Sequence, residues 1–228
     1  ILESKTIQLD GILETGPAKI HGVTSDVKEA LDASDLVLLI VPAYAHRAFA
    51  EACAPHLRAE HTVVLMPGTF GSLEWAQILK SHDVSGVTLA EVDTAPYVCR
   101  KTSPDGATIW GEVTALGMGV LPSTETERVR QALDPLFPGI TAYPDVMACG
   151  LSAMNPVVHP LGVLLNAGRV QYSRGESYFY DALVAEVELA SGVFDPSGVL
   201  QNCWWMPLGV HRRKTPRPHV RFGAHSGK

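Results

Sequence analysis

Three short aliphatic segments, separated by helical patterns, constrain the fold of this 228-residue chain more than any other feature. Residues 36–41, 61–66 and 86–91 do not alternate apolar with polar side chains, which predicts strands that are buried on both faces. Helical patterns at about 45–57 and 72–81 lie between them. Repetition of strand and helix at this spacing requires parallel pairing with right-handed crossovers. The sequence therefore predicts an open α/β sheet, in which ligands bind at the carboxyl ends of the strands.

The pattern changes after Arg100. Residues 107–111 and 113–120 are rich in Val, Thr and Gly, which predicts antiparallel strands. A helix is expected from Ser123 to about residue 137, because acidic residues occupy its first turn. From Pro144 onward the chain is apolar and helical in pattern, which indicates a second domain.

Two apolar helices, 147–158 and 161–170, are expected to meet at Pro160. The predicted organisation has three parts: an incomplete α/β domain at 1–144, the start of an all-α domain at 145–190, and a divergent, disordered basic tail at 191–228.

Composition excludes several classes of protein. Apolar residues make up 46% of the chain, enough for a sizeable core. All 24 acidic residues precede residue 207, so the body of the protein is acidic and does not suit nucleic-acid binding. The longest aliphatic run, residues 36–41, is far too short to cross a membrane. Four widely spaced cysteines without a C-x-x-C motif argue against a metal site or a disulfide scaffold and favour a cytoplasmic location.

Turn residues follow each of the three predicted strands, at equivalent positions. They are Pro42, Ala43 and His46 after the first strand, Pro67 and Gly68 after the second, and Thr94 after the third. Proline and glycine expose backbone N–H groups beside a crevice, where a flat ring and a phosphate can approach. Ordinary strand-to-helix turns are the alternative interpretation. The sequence contains no G-x-G-x-x-G turn, so either the fold is of another type or the chain begins after that element.

A polar stripe interrupts the apolar helical segment. Asn155, His159 and Asn166 are spaced by 4 and 7 residues, which predicts that they share one helical face. Buried amides and imidazoles need partners, so the stripe either forms an internal network or faces a ligand. Imidazole titrates near neutrality and can pass a proton to a nascent amine or alkoxide.

Together these motifs resemble the octopine/nopaline (opine) dehydrogenase family. In the first half of the chain the similar strings are V-P-A-Y-A-H from Val41, L-M-P-G from Leu65 and T-A-P-Y-V-C-R from Thr94. In the helical segment they are N-x-x-x-H-P from Asn155 and L-L-N-A-G-R from Leu164. The resemblance covers roughly residues 20–188. It implies a Rossmann-like parallel sheet, here without its first βα element, followed by an all-α domain.

The resemblance also implies a reaction and its residues. Opine dehydrogenases use NAD or NADP to condense an amino acid reductively with an α-keto acid. His159 looks like the family's catalytic histidine, and Asn155 and Asn166 look like its substrate-positioning neighbours. The turn residues after the three strands look like the cofactor side. Arg100 is a carboxylate anchor by its chemistry, since guanidinium pairs bidentately with carboxylates.

Two departures from the family pattern lead to alternatives. The opening glycine-rich turn is absent, and the resemblance stops near Glu188, so a fragment or an altered reading frame near residues 189–195 is one hypothesis. A non-catalytic remnant of such an enzyme is the alternative to an active one. A ketopantoate- or hydroxyacid-type reductase is the enzymatic alternative. The expected partners are small-molecule substrates, with no nucleic acid and no membrane; a homodimer is one option for an oligomeric state that stays open.

Overall fold

The computed structural model of the protein describes residues 4–114, 116–153, 155–172 and 219–222. In chain order its elements are β1 (Thr6–Gly11), β2 (Gly16–Lys19), α1 (Val27–Asp32), β3 (Leu36–Leu39), α2 (His46–Cys53), β4 (Thr62–Leu65), α3 (Gly71–Ser81), β5 (Thr88–Val92), β6 (Tyr97–Ser103), β7 (Gly106–Thr114), β8 (Gly117–Leu121), α4 (Thr126–Leu133), β9 (Thr141–Ala142), α5 (Val146–Ser152), α6 (Asn155–Leu165), α7 (Ala167–Tyr172) and β10 (His219–Phe222). They fall into two compact units: one runs to Ala153 and takes in β10, and the other contains α6 and α7.

The central sheet has the strand order β3-β4-β5-β8-β9. Strands β3, β4 and β5 are parallel, as predicted, with Leu39 opposite Leu65 and Leu65 opposite Glu91. Strand β8 runs antiparallel to β5, and the short β9 is parallel to β8. The carboxyl ends of the three parallel strands therefore lie side by side at one edge of the sheet.

Both faces of this sheet are covered, which explains why its strands do not alternate in polarity. Val63 and Leu65 of β4 belong to one core cluster, together with buried residues of α1, α2 and α3. Val64 and Met66 belong to a second cluster with Val129 and other residues of β8 and α4. Neighbouring side chains of one strand point to opposite faces, so a strand between two helical layers must be apolar throughout.

A smaller sheet joins residues distant in the sequence. Strands β1 and β2 form an antiparallel hairpin, and β1 also pairs in parallel with β7. The two strands predicted at 107–111 and 113–120 correspond to β7 and β8, and each is antiparallel to a neighbour, β6 and β5 respectively, but they lie in different sheets. Strand β10 pairs with the far end of β7. The structure describes only residues 219–222 of the predicted basic tail and nothing between residues 173 and 218. The predicted domain boundaries therefore stay predictions.

The predicted break at Pro160 is wrong. Helix α6 runs through Pro160, and the helical segments are interrupted instead between Ser152 and Asn155 and again at Asn166. A proline inside a helix removes one backbone hydrogen bond, whereas Pro156 lies in the first turn of α6, where that bond is not needed. None of the described helices is long and apolar enough to cross a membrane. The all-α second domain beyond α7 falls outside the described residues.

Candidate functional site

The carboxyl ends of β3, β4 and β5 form what we call the strand-tip edge. Pro42 and Ala43 follow β3 and are exposed, whereas Pro67 after β4 and Thr94 after β5 are half-buried. Because the three strands are parallel and in register, these predicted cofactor residues lie along one edge. In open α/β sheets this edge is where ligands bind.

A tight turn between β4 and α3 occupies the middle of the strand-tip edge. Gly68 N–H donates to the Val92 carbonyl at 3.0 Å, which fastens the turn to β5. Thr69 and Phe70 both have left-handed backbone angles, with φ of 48° and 68°. Such angles are uncommon in residues other than glycine, so the surrounding contacts must hold the turn in this form.

Glu91 lies directly beneath this turn. A Cβ atom at Gly68 would lie 2.1 Å from the Glu91 Cβ and 2.8 Å from its Oε2. Only glycine therefore allows the turn to close over the glutamate. The β4–α3 turn and the Glu91 side chain are packed as one unit.

The Glu91 carboxylate is fully buried and accepts three hydrogen bonds. Its Oε1 accepts from Phe70 N–H at 3.2 Å, and its Oε2 accepts from Ser72 N–H at 3.2 Å and from Ser72 Oγ at 2.7 Å. Burial raises the pKa of Glu91, and the bonds from Ser72 and Phe70 oppose that rise. The carboxylate thus satisfies amides at the start of α3 that no side chain of that helix caps.

Asp93, directly after β5, makes a similar connection to the beginning of β8 and to Tyr143. Its Oδ1 accepts from Gly117 N–H at 3.2 Å, and its Oδ2 accepts from Tyr143 Oη at 3.1 Å. The side chain is almost fully buried, and burial raises the pKa of Asp93 to about 6. Burial, reinforced by the neighbouring Asp93 charge, raises the pKa of Tyr143, and burial likewise raises that of the adjacent Cys149 thiol.

The remaining predicted cofactor residue, His46, lies behind the turn. Its side chain is 2% exposed and packs against Gly71, where an added Cβ would lie 2.4 Å from the His46 Nδ1. Burial lowers the pKa of His46, while Glu74 and the Val41 carbonyl act in the opposite direction. In this position a neutral imidazole supports the turn from the side of the core.

The predicted substrate residues are distributed over different elements. Arg100 lies on β6, exposed, and its Nη1 donates to the Cys99 carbonyl at 2.9 Å. Asn155 begins α6 and is half-buried, His159 lies one turn further along the same helix, and Asn166 follows its end and is buried. The His159 side chain falls outside the described part of the structure, so its catalytic role stays a prediction.

Glu91, Ser72, Asp93 and Tyr143 are the residues that sequence reasoning missed. One signal marks the two acids. Glu91 lies in β5, whose residues are all buried, and Asp93 follows it two positions later, on the same side of the strand. The residues that bond them lie 19 to 50 positions away in the sequence, so only the fold reveals the pairing. Among the described residues no group of three His, Cys, Asp or Glu side chains could hold a metal ion.

Comparison with solved structures defines the fold class. Octopine dehydrogenase in complex with NADH and agmatine superposes with a TM-score of 0.55 at 17% identity, over 70% of this chain and 42% of that one. A ketopantoate reductase of the PanE/ApbA family from Ralstonia eutropha JMP134 also gives 0.55, over 88% of this chain and 66% of that one. The parallel sheet and its edge thus define a Rossmann-like α/β protein, and the predicted fold of the first domain is confirmed.

Sequence comparison finds relatives among the opine dehydrogenases. Opine dehydrogenase from Arthrobacter sp. (strain 1C) is 28% identical over 173 residues, which is 75% of this chain and 48% of that protein. Vitopine synthase from Allorhizobium ampelinum is 30% identical over 166 residues, or 68% of this chain and 44% of that protein. No protein-family profile matches the sequence. The chain is therefore a relative of the opine dehydrogenases, as predicted, and spans about half the length of these relatives.

Proposed function

We propose that this protein is an opine dehydrogenase-type oxidoreductase, which uses NADH or NADPH to condense an amino acid reductively with an α-keto acid. The observation that carries the proposal is the similarity to curated opine dehydrogenases over three-quarters of the chain. Solved octopine dehydrogenase complexes with NADH contain L-arginine, which is an amino acid, pyruvate, which is an α-keto acid, or the amine agmatine.

The strand-tip edge is the proposed cofactor site. When bound there, a reduced nicotinamide supplies a hydride to the carbon of a C=N bond. The edge suits a flat ring, because exposed Pro42 and half-buried Pro67 and Thr94 follow three adjacent parallel strands and leave turn residues accessible along their ends. The sequence has no G-x-G-x-x-G motif, so the fit concerns the ring end of the cofactor and not its pyrophosphate.

The proposed proton chemistry belongs to α6. His159 would act as general acid and base for the imine and the amine, since imidazole exchanges a proton near neutral pH. Asn155 lies one helical turn before it and, with Asn166, would orient the substrate. Arg100 would pair with a substrate carboxylate. The homodimer and the cytoplasmic location predicted from the sequence stay predictions.

The test is NADH or NADPH oxidation by the full chain, with pyruvate and a panel of amino acids. We expect oxidation only when both the keto acid and the amino acid are present. His159→Gln should reduce the rate by roughly 100-fold or more, because a positioned general acid contributes on the order of 10² to 10⁴. His21→Gln, which changes an exposed histidine, is the matched control and should retain the rate. Absence of both cofactor binding and oxidation would instead support the non-catalytic remnant.

A keto acid reductase is the second candidate function. The superposition on ketopantoate reductase supports it, since that structure covers the larger share of this chain. The same assay separates the two functions, because a keto acid reductase oxidises the cofactor without an added amine. A rate unaffected by the amino acid would replace the opine proposal with this one.

A further inference from the structure

Glu91 occupies a position that the proposed chemistry does not use directly. It is fully buried, and it lies beneath the turn whose outer side is the proposed cofactor site. A buried carboxylate is costly unless hydrogen bonds compensate for the lost water. All three hydrogen bonds described for the Glu91 carboxylate come from Phe70, in that turn, and from Ser72, in the first turn of α3.

The hydrogen bonds from the Phe70 and Ser72 amides to Glu91 hold the uncommon backbone conformation of the turn in place. Thr69 and Phe70 both have left-handed backbone angles, and Phe70, the N-cap residue of α3, makes no capping hydrogen bond with its own side chain. The carboxylate supplies the missing acceptor from the neighbouring strand. The Gly68 N–H bond to the Val92 carbonyl adds a second connection to β5, one residue beyond Glu91. The turn is therefore fastened to β5 twice, through the Glu91 side chain and through the Val92 carbonyl.

Phe70 extends this arrangement to another element. Its ring lies against Gly150 of α5, where an added Cβ would be 2.5 Å from the Phe70 ring carbons. Cys149, the preceding residue, donates through Sγ to the Glu91 carbonyl at 3.4 Å. A displacement of the Glu91 side chain would thus disturb the turn, the start of α3 and the packing of α5 together.

We propose that Glu91 is the positioning residue of the strand-tip edge: its carboxylate fixes the Phe70 and Ser72 amides and thereby sets the backbone of residues 67–69 that receives the nicotinamide cofactor. This inference rests on the proposed cofactor site. Glu91 does not contact the cofactor in this proposal, yet the affinity for NADH or NADPH depends on its carboxylate.

The test compares NADH affinity in matched variants of the full chain, measured by cofactor fluorescence at a temperature where each variant is folded. Glu91→Gln keeps the shape of the side chain but replaces one acceptor oxygen with a donor, so one of the bonded groups loses its partner. We expect the dissociation constant to rise roughly tenfold, the usual effect of losing a hydrogen bond to a buried charge. Hydrogen exchange at the Phe70 and Ser72 amides should accelerate in the same variant.

Two controls separate positioning from general loss of stability. Glu74→Gln makes the same chemical change on a part-exposed residue of α3 that pairs with Arg47, and should leave NADH affinity unchanged. Leu57→Ala removes a buried core side chain before β4, at the opposite edge of the sheet. It should lower the melting temperature without changing affinity.

The outcomes are distinguishable. If the unmodified chain binds neither NADH nor NADPH, the proposed function fails and the role of Glu91 toward the cofactor falls with it. If the unmodified chain binds and Glu91→Gln binds equally well, or if Leu57→Ala weakens binding as much, the positioning role alone is overturned. If Glu91→Gln does not fold, Ser72→Ala decides: a rise of roughly threefold supports the proposal, and unchanged affinity refutes it.

Discussion

Replacing Asp93 by asparagine should stabilise the protein at neutral pH. Burial raises the pKa of Asp93 from its ordinary value of 3.8 to about 6 in the folded protein. Between these values the folded state holds a proton that the unfolded chain has released, so stability falls as the pH rises through this window. At about 1.4 kcal/mol for each pH unit, the cost of the buried charge reaches about 3 kcal/mol at pH 7.

Asparagine fits the hydrogen bonds that Asp93 makes. Its carbonyl oxygen can accept from Gly117 N–H, and its amide group can donate to Tyr143 Oη, which then acts as the acceptor. The substitution therefore removes the buried charge without leaving a partner unsatisfied. Against wild type, Asp93→Asn should gain little at about pH 4 and on the order of 1 to 3 kcal/mol at about pH 7.

The assay is urea denaturation followed by tryptophan fluorescence at a series of pH values from about 4 to 7.5. Buried Glu91 and His46, whose pKa values are also shifted, are present in both proteins, so the difference between the two curves reports on Asp93. Asp35→Asn removes the same charge from an exposed position and is the control. Parallel curves for Asp93→Asn and wild type, or a less stable variant at pH 7, would refute the assignment of a costly buried charge.

Two further predictions concern stability. Gly68→Ala should lower the free energy of unfolding by about 1 to 3 kcal/mol, because the new Cβ would lie 2.1 Å from the Glu91 Cβ. Gly22→Ala is the control in the same urea titration and should be nearly neutral, since no atom lies within 4 Å of its new Cβ; equal effects would contradict the packing described. His61→Phe should lower the free energy of unfolding by about 1 to 3 kcal/mol, because buried His61 accepts from Arg58 N–H and donates to the Leu31 carbonyl. Thermal unfolding that matches wild type would show that these bonds contribute little.

The central sheet was predictable because its strands are short and apolar throughout. Residues 36–41 and 61–66 contain too few polar side chains to face water on either side, and both faces of β4 are indeed buried. Parallel pairing then follows from the intervening helices, and it places Pro42, Pro67 and Thr94 at one edge. Local pattern and tertiary structure agree for β4 and β5, whereas β3, the terminal strand of the sheet, is mostly half-buried and Ile40 after it is 63% exposed.

The support of the strand-tip edge was not predictable from local pattern. An isolated Glu or Asp is typical of a solvated position, and only the partners of Glu91 and Asp93 show why these acids are buried. The pairing of β1 with β7 brings Gln8 opposite Gly106 and has no sequence signature. The error at Pro160 has a different cause, because an apolar segment can continue a helix through a proline when neighbouring structure compensates.

Hydrogen exchange of the full chain with and without a saturating reduced cofactor tests the central claim most directly. The amides of residues 66–70 and 92–97, which form two of the three turns at the strand-tip edge, should gain protection when NADH or NADPH binds. The hairpin of β1 and β2 should exchange at an unchanged rate. Binding that protects other segments while both turns exchange as before would contradict a cofactor site at these strand ends.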